Sequence, residues 1–142
     1  MMTSFVVDAS VGIKWFLPER QELEAEHLLG GAYTLLVPEL LYSEIANIFW
    51  KRVTFNGLDR TIAQKAIKAL GSFCLESFTC ASLFKDAFEI ATLTGCTAYD
   101  GLYVALAVQE DAQLITVDKR LVSTLRSTPL EKYIVLLGSS DI

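Results

Sequence analysis

The stretch of residues 113–118, QLITVD, indicates what kind of sheet this chain forms. Four apolar or β-branched residues follow one another without a break, and the first charged residue, Asp118, comes directly after them. Such a run is typical of a strand covered on both faces, because a strand with one face in water alternates apolar and polar residues. With similar but partly shorter runs elsewhere, the sequence predicts strands over residues 4–7, 33–37, 113–117 and 133–137.

Longer stretches with helical periodicity separate these strands. They predict helices over residues 22–29, 39–54, 60–76, 83–93, 98–109 and 119–126, and a short helix begins near Val11. Strands that alternate with helices form a mostly parallel sheet with helices on both faces, which is an α/β fold. No repeat or Pro/Gly-rich linker interrupts the pattern, so we expect a single domain over residues 1–142.

The composition restricts the classes of protein to consider. The chain has 142 residues, 52% of them hydrophobic, which is enough apolar material for one packed domain and argues against disorder. No run approaches the roughly 18 apolar residues that span a bilayer. The N-terminus has no basic region, and Asp8 interrupts its short apolar run, so we expect no secretion signal and a cytoplasmic protein. The net charge of −5 argues against broad, nonspecific binding to nucleic acid.

The cysteines give no sign of a zinc site. They form no CxxC pair, and the chain contains one histidine. Because free cysteine is commonly buried, we expect reduced core thiols at Cys74, Cys80 and Cys96.

Four carboxylates draw attention by their positions. Asp8 and Asp118 each follow a predicted strand directly, and open α/β sheets bind ligands at that edge. Asp100 lies in the first turn of an apolar helix, within the segment TAYDGLYVALA, and Tyr103 shares its face. Glu44 stands beside the apolar stripe of another predicted helix.

Each acid also has a purely structural interpretation. Asp8 or Ser10 would cap the short helix near Val11, and Asp118 would cap the helix after it. The pattern Thr97-x-x-Asp100 has the form of a capping box, although that motif prefers the longer Glu or Gln at its last position.

For Glu44 the structural interpretation is an ion pair with Lys51 or Arg52, whose spacing is longer than helical pairs need. Taken together, carboxylates without a histidine or cysteine partner suit Mg²⁺ or Mn²⁺. Such an ion polarises a phosphoryl oxygen and lowers the pKa of a bound water. The four acids therefore favour metal-assisted phosphate chemistry.

Four segments resemble, in order, the acidic motifs of PIN-domain ribonucleases, and most closely those of VapC-type toxins of prokaryotic toxin–antitoxin pairs. They are VVDASVGIKWFLPE, PELLYSEIANIFWKR, TAYDGLYVALA and LITVDKRL, and the resemblance extends from Phe5 to about Leu137. It implies a three-layer α/β/α sandwich and Mg²⁺- or Mn²⁺-dependent cleavage of single-stranded or looped RNA.

The resemblance also assigns residues to roles. It implies a metal-binding, catalytic quartet of Asp8, Glu44, Asp100 and Asp118. Ser10 and Thr116 match small hydroxyl positions that orient a carboxylate or water. Gly101 departs from the alanine common after the third acid, and we expect it to loosen the start of its helix.

Basic residues near the acids are candidates for a local phosphate-binding rim, with ordinary solvated side chains as the alternative. They are Lys14, Lys51, Arg52, Lys119 and Arg120.

The resemblance further implies an antitoxin partner, and we expect a homodimer as well. The predicted helices 39–54 and 60–76 and the residues beside them carry aromatic side chains beyond what one small core requires, namely Phe49, Trp50, Phe55 and Phe73.

Two other functions remain open from the residues. A phosphatase with an aspartyl nucleophile would use Asp8, but Asp8-Ala9-Ser10 lacks the second aspartate of such a loop. A non-catalytic binding module on the same fold would have no need for all four acids.

Overall fold

The sheet is parallel throughout. The computed structural model describes residues 2–139, in which five strands form one sheet of order β3-β2-β1-β4-β5. Every neighbouring pair is parallel, which confirms the predicted α/β fold. The strands are β1 (Thr3–Val7), β2 (Tyr33–Pro38), β3 (Leu75–Phe78), β4 (Gln113–Thr116) and β5 (Ile134–Leu136).

Helices connect the strands. Within residues 2–139 they are α1 (Ala9–Gly12), α2 (Glu22–His27), α3 (Leu40–Phe55), α4 (Arg60–Leu70), α5 (Cys80–Thr94), α6 (Ala98–Gln109) and α7 (Lys119–Leu125), with single 3₁₀ turns at Ile13–Trp15 and Glu131–Tyr133. Side-chain caps mark several starts: the Asp59 carboxylate accepts from the Thr61 and Ile62 N–H groups at α4. None of these helices combines the length and apolar character needed to cross a membrane.

One part of the core lies between α6 and the central strands. Val6, Val7, Leu114 and Ile115 are fully buried in β1 and β4. Residues 101–107 of α6 are buried too, because this helix packs on α5 as well as on β1, β2 and β4. A helix that is apolar on all sides needs such a position.

The predicted helix over residues 60–76 is wrong at its end. The α4 helix stops at Leu70, Gly71 follows as its cap, and residues 75–78 form β3. Strand β3 pairs with β2 alone, at the edge of the sheet, with Leu75 opposite Leu35. Because two of its four residues are exposed, LESF lacks the unbroken apolar run that marks the buried strands.

Gly101 is a point of close packing between α5 and α6. A Cβ atom at this position would lie 2.5 Å from the Ala87 carbonyl oxygen. The expectation that Gly101 loosens the helix start is therefore replaced by a packing role: only glycine lets the two backbones approach this closely.

The cysteines differ from the prediction of core thiols. Cys74 is exposed on the segment that leads into β3, whereas Cys80 and Cys96 are half-buried. All three are free, as expected. The edge position of β3 explains why Cys74 reaches solvent.

Candidate active site

The predicted acids lie at the carboxyl edge of the sheet or on helices that pack beside it. Val7 pairs with Ile115, so β1 and β4 end side by side, and Asp8 and Asp118 follow those ends. Glu44 comes from the first half of α3, and Asp100 from the first turn of α6.

The four carboxylates form a row in the sense that each charge is close enough to the next to repel it, in the order Asp8, Glu44, Asp100 and Asp118. Burial is the largest cause of the raised pKa of Asp8, Glu44 and Asp100, and the charge of a neighbouring acid raises each pKa further. The charge of Glu44 raises the pKa of Asp8, and that of Asp100 raises the pKa of Glu44. The charge of Asp118 in turn raises the pKa of Asp100. The structure thus brings together residues far apart in the sequence.

Asp8 is held by both of its carboxylate oxygens. The Ser10 hydroxyl donates to Oδ1 at 2.5 Å, and the Thr116 hydroxyl donates to Oδ2 at 2.5 Å. The Val11 N–H also donates to Oδ1, at 3.2 Å. Burial raises the pKa of the Asp8 carboxyl to about 6, and these hydrogen bonds limit the rise because they favour the ionised form.

The capping interpretations of Asp8 and Asp118 are correct. Asp8 caps α1 through Val11, and Asp118 Oδ1 accepts from the Arg120 N–H at 3.0 Å and the Leu121 N–H at 3.1 Å. Within residues 2–139, Asp118 Oδ2 accepts no hydrogen bond from the protein. A capping carboxylate therefore keeps an oxygen for a ligand, and the two interpretations do not exclude each other.

At α6 the helix cap is the Thr97 hydroxyl. It accepts from the Asp100 N–H at 3.1 Å, a bond that does not use the Asp100 carboxylate as acceptor. Burial raises the pKa of the Asp100 carboxyl, the charge of Asp118 raises it further, and the Thr97 hydroxyl partly offsets the rise. Ionisation of this half-buried carboxylate therefore destabilises the folded protein.

Glu44 has a partner that the sequence did not reveal. The Tyr103 hydroxyl donates to Glu44 Oε1 at 2.5 Å, and the Tyr103 side chain is only 3% exposed. Burial and the charge of Glu44 hold the pKa of Tyr103 well above its usual range, so the hydroxyl stays protonated as a donor. The available signal was the i+3 spacing from Asp100, which places Tyr103 on the face of α6 that bears the acid.

The predicted basic residues fall into two groups. Lys14 is only 7% exposed; its Nζ donates to the Arg20 carbonyl oxygen at 2.6 Å and pairs with Glu19 at 3.4 Å. Arg52 pairs with the same Glu19 at 2.5 Å. Both basic side chains therefore form an ion pair with Glu19 inside the protein.

The other basic candidates are exposed and make no ion pair within residues 2–139. They are Lys51, Lys119 and Arg120.

Comparison with known proteins identifies the family. Residues 5–125 match the family described as PIN domain. The chain belongs to the PIN-domain family. The resemblance that the four acidic motifs carry is thereby confirmed.

This PIN domain is 35% identical over 118 residues to ribonuclease VapC3 of Pyrobaculum aerophilum, covering 82% of this chain and 90% of the relative. Its fold resembles that of a chain in a toxin–antitoxin complex from Klebsiella pneumoniae, with a TM-score of 0.64 and 14% identity. The match covers 92% of this chain and 94% of that chain. It also resembles a chain in the structure of VapBC2 from Rickettsia felis bound to a DNA fragment from its promoter, with a TM-score of 0.66 and 13% identity. The match covers 94% of this chain and 98% of that chain. These two structures show the same fold.

The donor chemistry of this PIN domain fits a hard divalent cation. The acids offer only oxygen atoms, which Mg²⁺ and Mn²⁺ prefer, and repulsion among them is the strain that a cation relieves. Within residues 2–139, no three Asp, Glu, His or Cys side chains stand close enough to form a ready-made metal cage. The acids therefore suit such a cation by their oxygen ligands and their negative charge, and not by a preformed coordination geometry.

Proposed function

We propose that this PIN domain is a divalent-metal-dependent endoribonuclease that hydrolyses RNA phosphodiester bonds as the toxin of a toxin–antitoxin pair. The observation that carries the proposal is the row of mutually repelling carboxylates at the carboxyl edge of the sheet, Asp8, Glu44, Asp100 and Asp118. The relative from Pyrobaculum aerophilum, a ribonuclease by name, supports the class of reaction.

Mg²⁺, with Mn²⁺ as a substitute, is the ion that these four acids would hold. When bound, it supplies positive charge that polarises a phosphoryl oxygen and lowers the pKa of a water. The protein's own part is to orient the ligands. Ser10 and Thr116 hold Asp8, and Tyr103 holds Glu44.

Phosphate contacts are assigned to the exposed basic residues. Lys51, Lys119 and Arg120 reach solvent without an internal ion pair among the described residues, so their charges are available to RNA. Lys14 and Arg52 keep Glu19 as their partner and support the fold around the 3₁₀ turn. With a net charge of −5, attraction to RNA has to come from such a local rim.

A phosphatase with Asp8 as nucleophile has less support than a nuclease. The loop Asp8-Ala9-Ser10 lacks the second aspartate that such an enzyme needs.

The protein partners of the proposed toxin are an antitoxin and a second copy of the chain, in the cytoplasm. The resemblance to toxin–antitoxin complexes supports the first. Of the aromatic residues in question, Phe49 is buried and Phe73 stacks on Phe16, whereas Trp50 and Phe55 are exposed. Light scattering at tens of micromolar, on the order at which weak dimers form, should give a dimer, and a monomer would contradict the homodimer.

A cleavage assay tests the reaction itself. RNA should be cleaved in Mg²⁺ or Mn²⁺ and left intact in EDTA, because carboxylates alone repel a phosphodiester. Undiminished cleavage in the chelator would rule out the proposed mechanism.

A further inference from the structure

Four residues of α3 form a stripe against the segment that follows Asp8. Gly12 lies beside the first two of them, since a Cβ atom at this position would be 3.2 Å from the Ile45 Cδ1 atom and 3.7 Å from that of Leu41. A spacing of three or four residues places all four on one side of the helix. In chain order they are Leu41, Ile45, Phe49 and Arg52.

The second half of the stripe meets residues 16–19. The Phe16 ring packs edge-on against the Phe49 ring, with the centroids 6.2 Å apart. One turn further along α3, the Arg52 Nη2 atom lies 2.5 Å from the Glu19 Oε2 atom. The first three residues of the stripe are thus buried apolar side chains, whereas the last contact is an ion pair.

Glu19 binds a cation with each of its carboxylate oxygens. Its Oε1 atom pairs with the Lys14 Nζ atom at 3.4 Å, and Lys14 also donates to the Arg20 carbonyl oxygen at 2.6 Å. Lys14 belongs to the 3₁₀ turn Ile13–Trp15, all of which is buried, so this side of the pair is fixed. Glu19 therefore joins the segment after Asp8 to the helix that carries Glu44.

The ion pair restricts α3 in a way that the apolar contacts do not. Apolar packing is non-directional, so a helix held by it alone can turn or slide while its side chains stay buried. A partly buried ion pair has to keep two particular atoms together, and it can thereby specify the register of the elements that it joins. Arg52 lies about 10 Å along the helix axis from Ile45, at a rise of about 1.5 Å per residue. A second fixed point at this distance prevents α3 from pivoting on its contact with Gly12.

The two acids nearest to this contact depend on the register of α3. Glu44 directly precedes Ile45. The Gly12 N–H donates to the Asp8 carbonyl oxygen at 3.0 Å, so Gly12 and Asp8 move together. A shift of α3 against this segment would therefore change the separation of Asp8 and Glu44, whose charges are close enough to repel each other.

We propose that Glu19 is a positioning residue of the metal site: by binding Arg52 it fixes the register of α3 and thus the separation of Asp8 and Glu44. The inference rests on the proposed metal-dependent function, and it adds a residue that is not itself a candidate ligand.

Mn²⁺ binding tests the positioning role without any cleavage. The free ion is followed by its electron paramagnetic resonance signal as Mn²⁺ is added to metal-free protein, at a temperature at which circular dichroism shows each variant folded. Arg52→Met removes the ion pair, keeps an aliphatic side chain and leaves Glu19 paired with Lys14. It should raise the Kd for Mn²⁺ about fivefold, below the roughly 10–100-fold typical for direct partners of a metal ligand.

A simple charge effect would have the opposite sign. Loss of a positive charge near the acids favours a bound cation and should lower Kd. Arg126→Met measures this effect, because Arg126 is exposed and makes no ion pair within residues 2–139. It also follows Asp118 by eight residues, as Arg52 follows Glu44. Its Kd should equal that of the wild-type protein or be lower.

Two further variants ask whether the ion pair itself is responsible. The contact joins one guanidinium nitrogen to one carboxylate oxygen, so Arg52→Lys can restore it and should keep Kd within about twofold of wild type. Glu19→Gln should weaken Mn²⁺ binding as well. Its effect should not add to that of Arg52→Met in the double variant, because both changes break the same pair.

The outcomes separate this inference from the function on which it rests. If wild-type protein binds Mn²⁺ and cleaves RNA, but Arg52→Met binds Mn²⁺ as tightly as Arg126→Met, the positioning role is overturned and the ribonuclease stands. Additive effects of Glu19→Gln and Arg52→Met would also overturn it, since two independent losses would then be at work. If wild-type protein neither binds Mn²⁺ nor cleaves RNA, the proposed function falls and the positioning role falls with it.

Discussion

The Tyr103 hydroxyl donates to the Glu44 carboxylate at 2.5 Å and so connects α6 to α3 across 59 residues of sequence. Each helix contributes one acid to the row of carboxylates, Asp100 and Glu44. A buried donor at this point orients Glu44 and favours its ionised form, because its hydrogen bond partly offsets the rise in pKa that burial causes.

Tyr103→Phe removes that donor and keeps the ring. We expect the free energy of unfolding to fall by about 1 kcal/mol in EDTA, since Glu44 loses a hydrogen bond at a half-buried carboxylate. The rise in melting temperature that Mn²⁺ induces should shrink as well. Tyr99→Phe is the matched control, because Tyr99 lies on the same helix and is 65% exposed. Equal Mn²⁺ shifts in both variants would contradict a positioning role for Tyr103.

Asp100→Asn distinguishes a metal ligand from a helix cap. Because the Thr97 hydroxyl caps α6 through the Asp100 N–H, the substitution leaves that bond in place. Stability in EDTA should be unchanged or higher, since one repelling charge is gone, while the Mn²⁺-induced thermal shift and RNA cleavage should be lost.

Thr97→Ala is the converse variant. It should lower stability by about 1 kcal/mol with or without metal. An Asp100→Asn protein that is destabilised in EDTA yet keeps its metal shift and activity would show that Asp100 is structural only.

Gly101→Ala should destabilise the protein although alanine favours helices. The gain in helix propensity is about 1 kcal/mol, but the new Cβ would lie 2.5 Å from the Ala87 carbonyl oxygen, and the helices would have to move apart. We expect a net loss of about 1–3 kcal/mol by chemical denaturation. At Gly71, where the nearest atom would be 3.4 Å away, alanine should cost nothing. A stable Gly101→Ala protein would contradict the close-packing role.

The pH dependence of stability should change sign with metal. Asp8 has a pKa of about 6 in the folded protein against an ordinary value of 3.8, so the folded state binds its proton more tightly than the unfolded state. Without metal, this group contributes stability that is fully present below pH 3.8 and is lost as the pH rises through about 6. The effect amounts to about 2–3 kcal/mol for a shift of this size.

With Mn²⁺ the trend should reverse over the same range, since ligands have to be ionised to bind the ion. Denaturation at several pH values in EDTA and in Mn²⁺ measures both trends, and Asp8→Asn should flatten both. A wild-type protein whose stability in EDTA rises from pH 5 to pH 7 would contradict the raised pKa.

Most of the sheet could be predicted because its inner strands are buried on both faces and leave unbroken apolar runs, as in β4. Edge strand β3 could not, since its exposed residues look like the continuation of the preceding helix. Asp8 and Asp118 were found through their positions after strands. By contrast, the burial of Lys14 and the Tyr103–Glu44 bond depend on tertiary contacts that no local pattern records.

The parallel pairing of β1 with β4 also determines when the site can form. Asp8 receives its hydrogen bond from Thr116, which is 108 residues further along the chain, and Asp118 comes later still. Contacts between residues so far apart in the sequence form slowly. During synthesis they cannot form until the second residue has left the ribosome. A growing chain therefore carries Asp8, Glu44 and Asp100 well before it carries a site. If the proposed ribonuclease activity is correct, it should begin only after translation has passed β4.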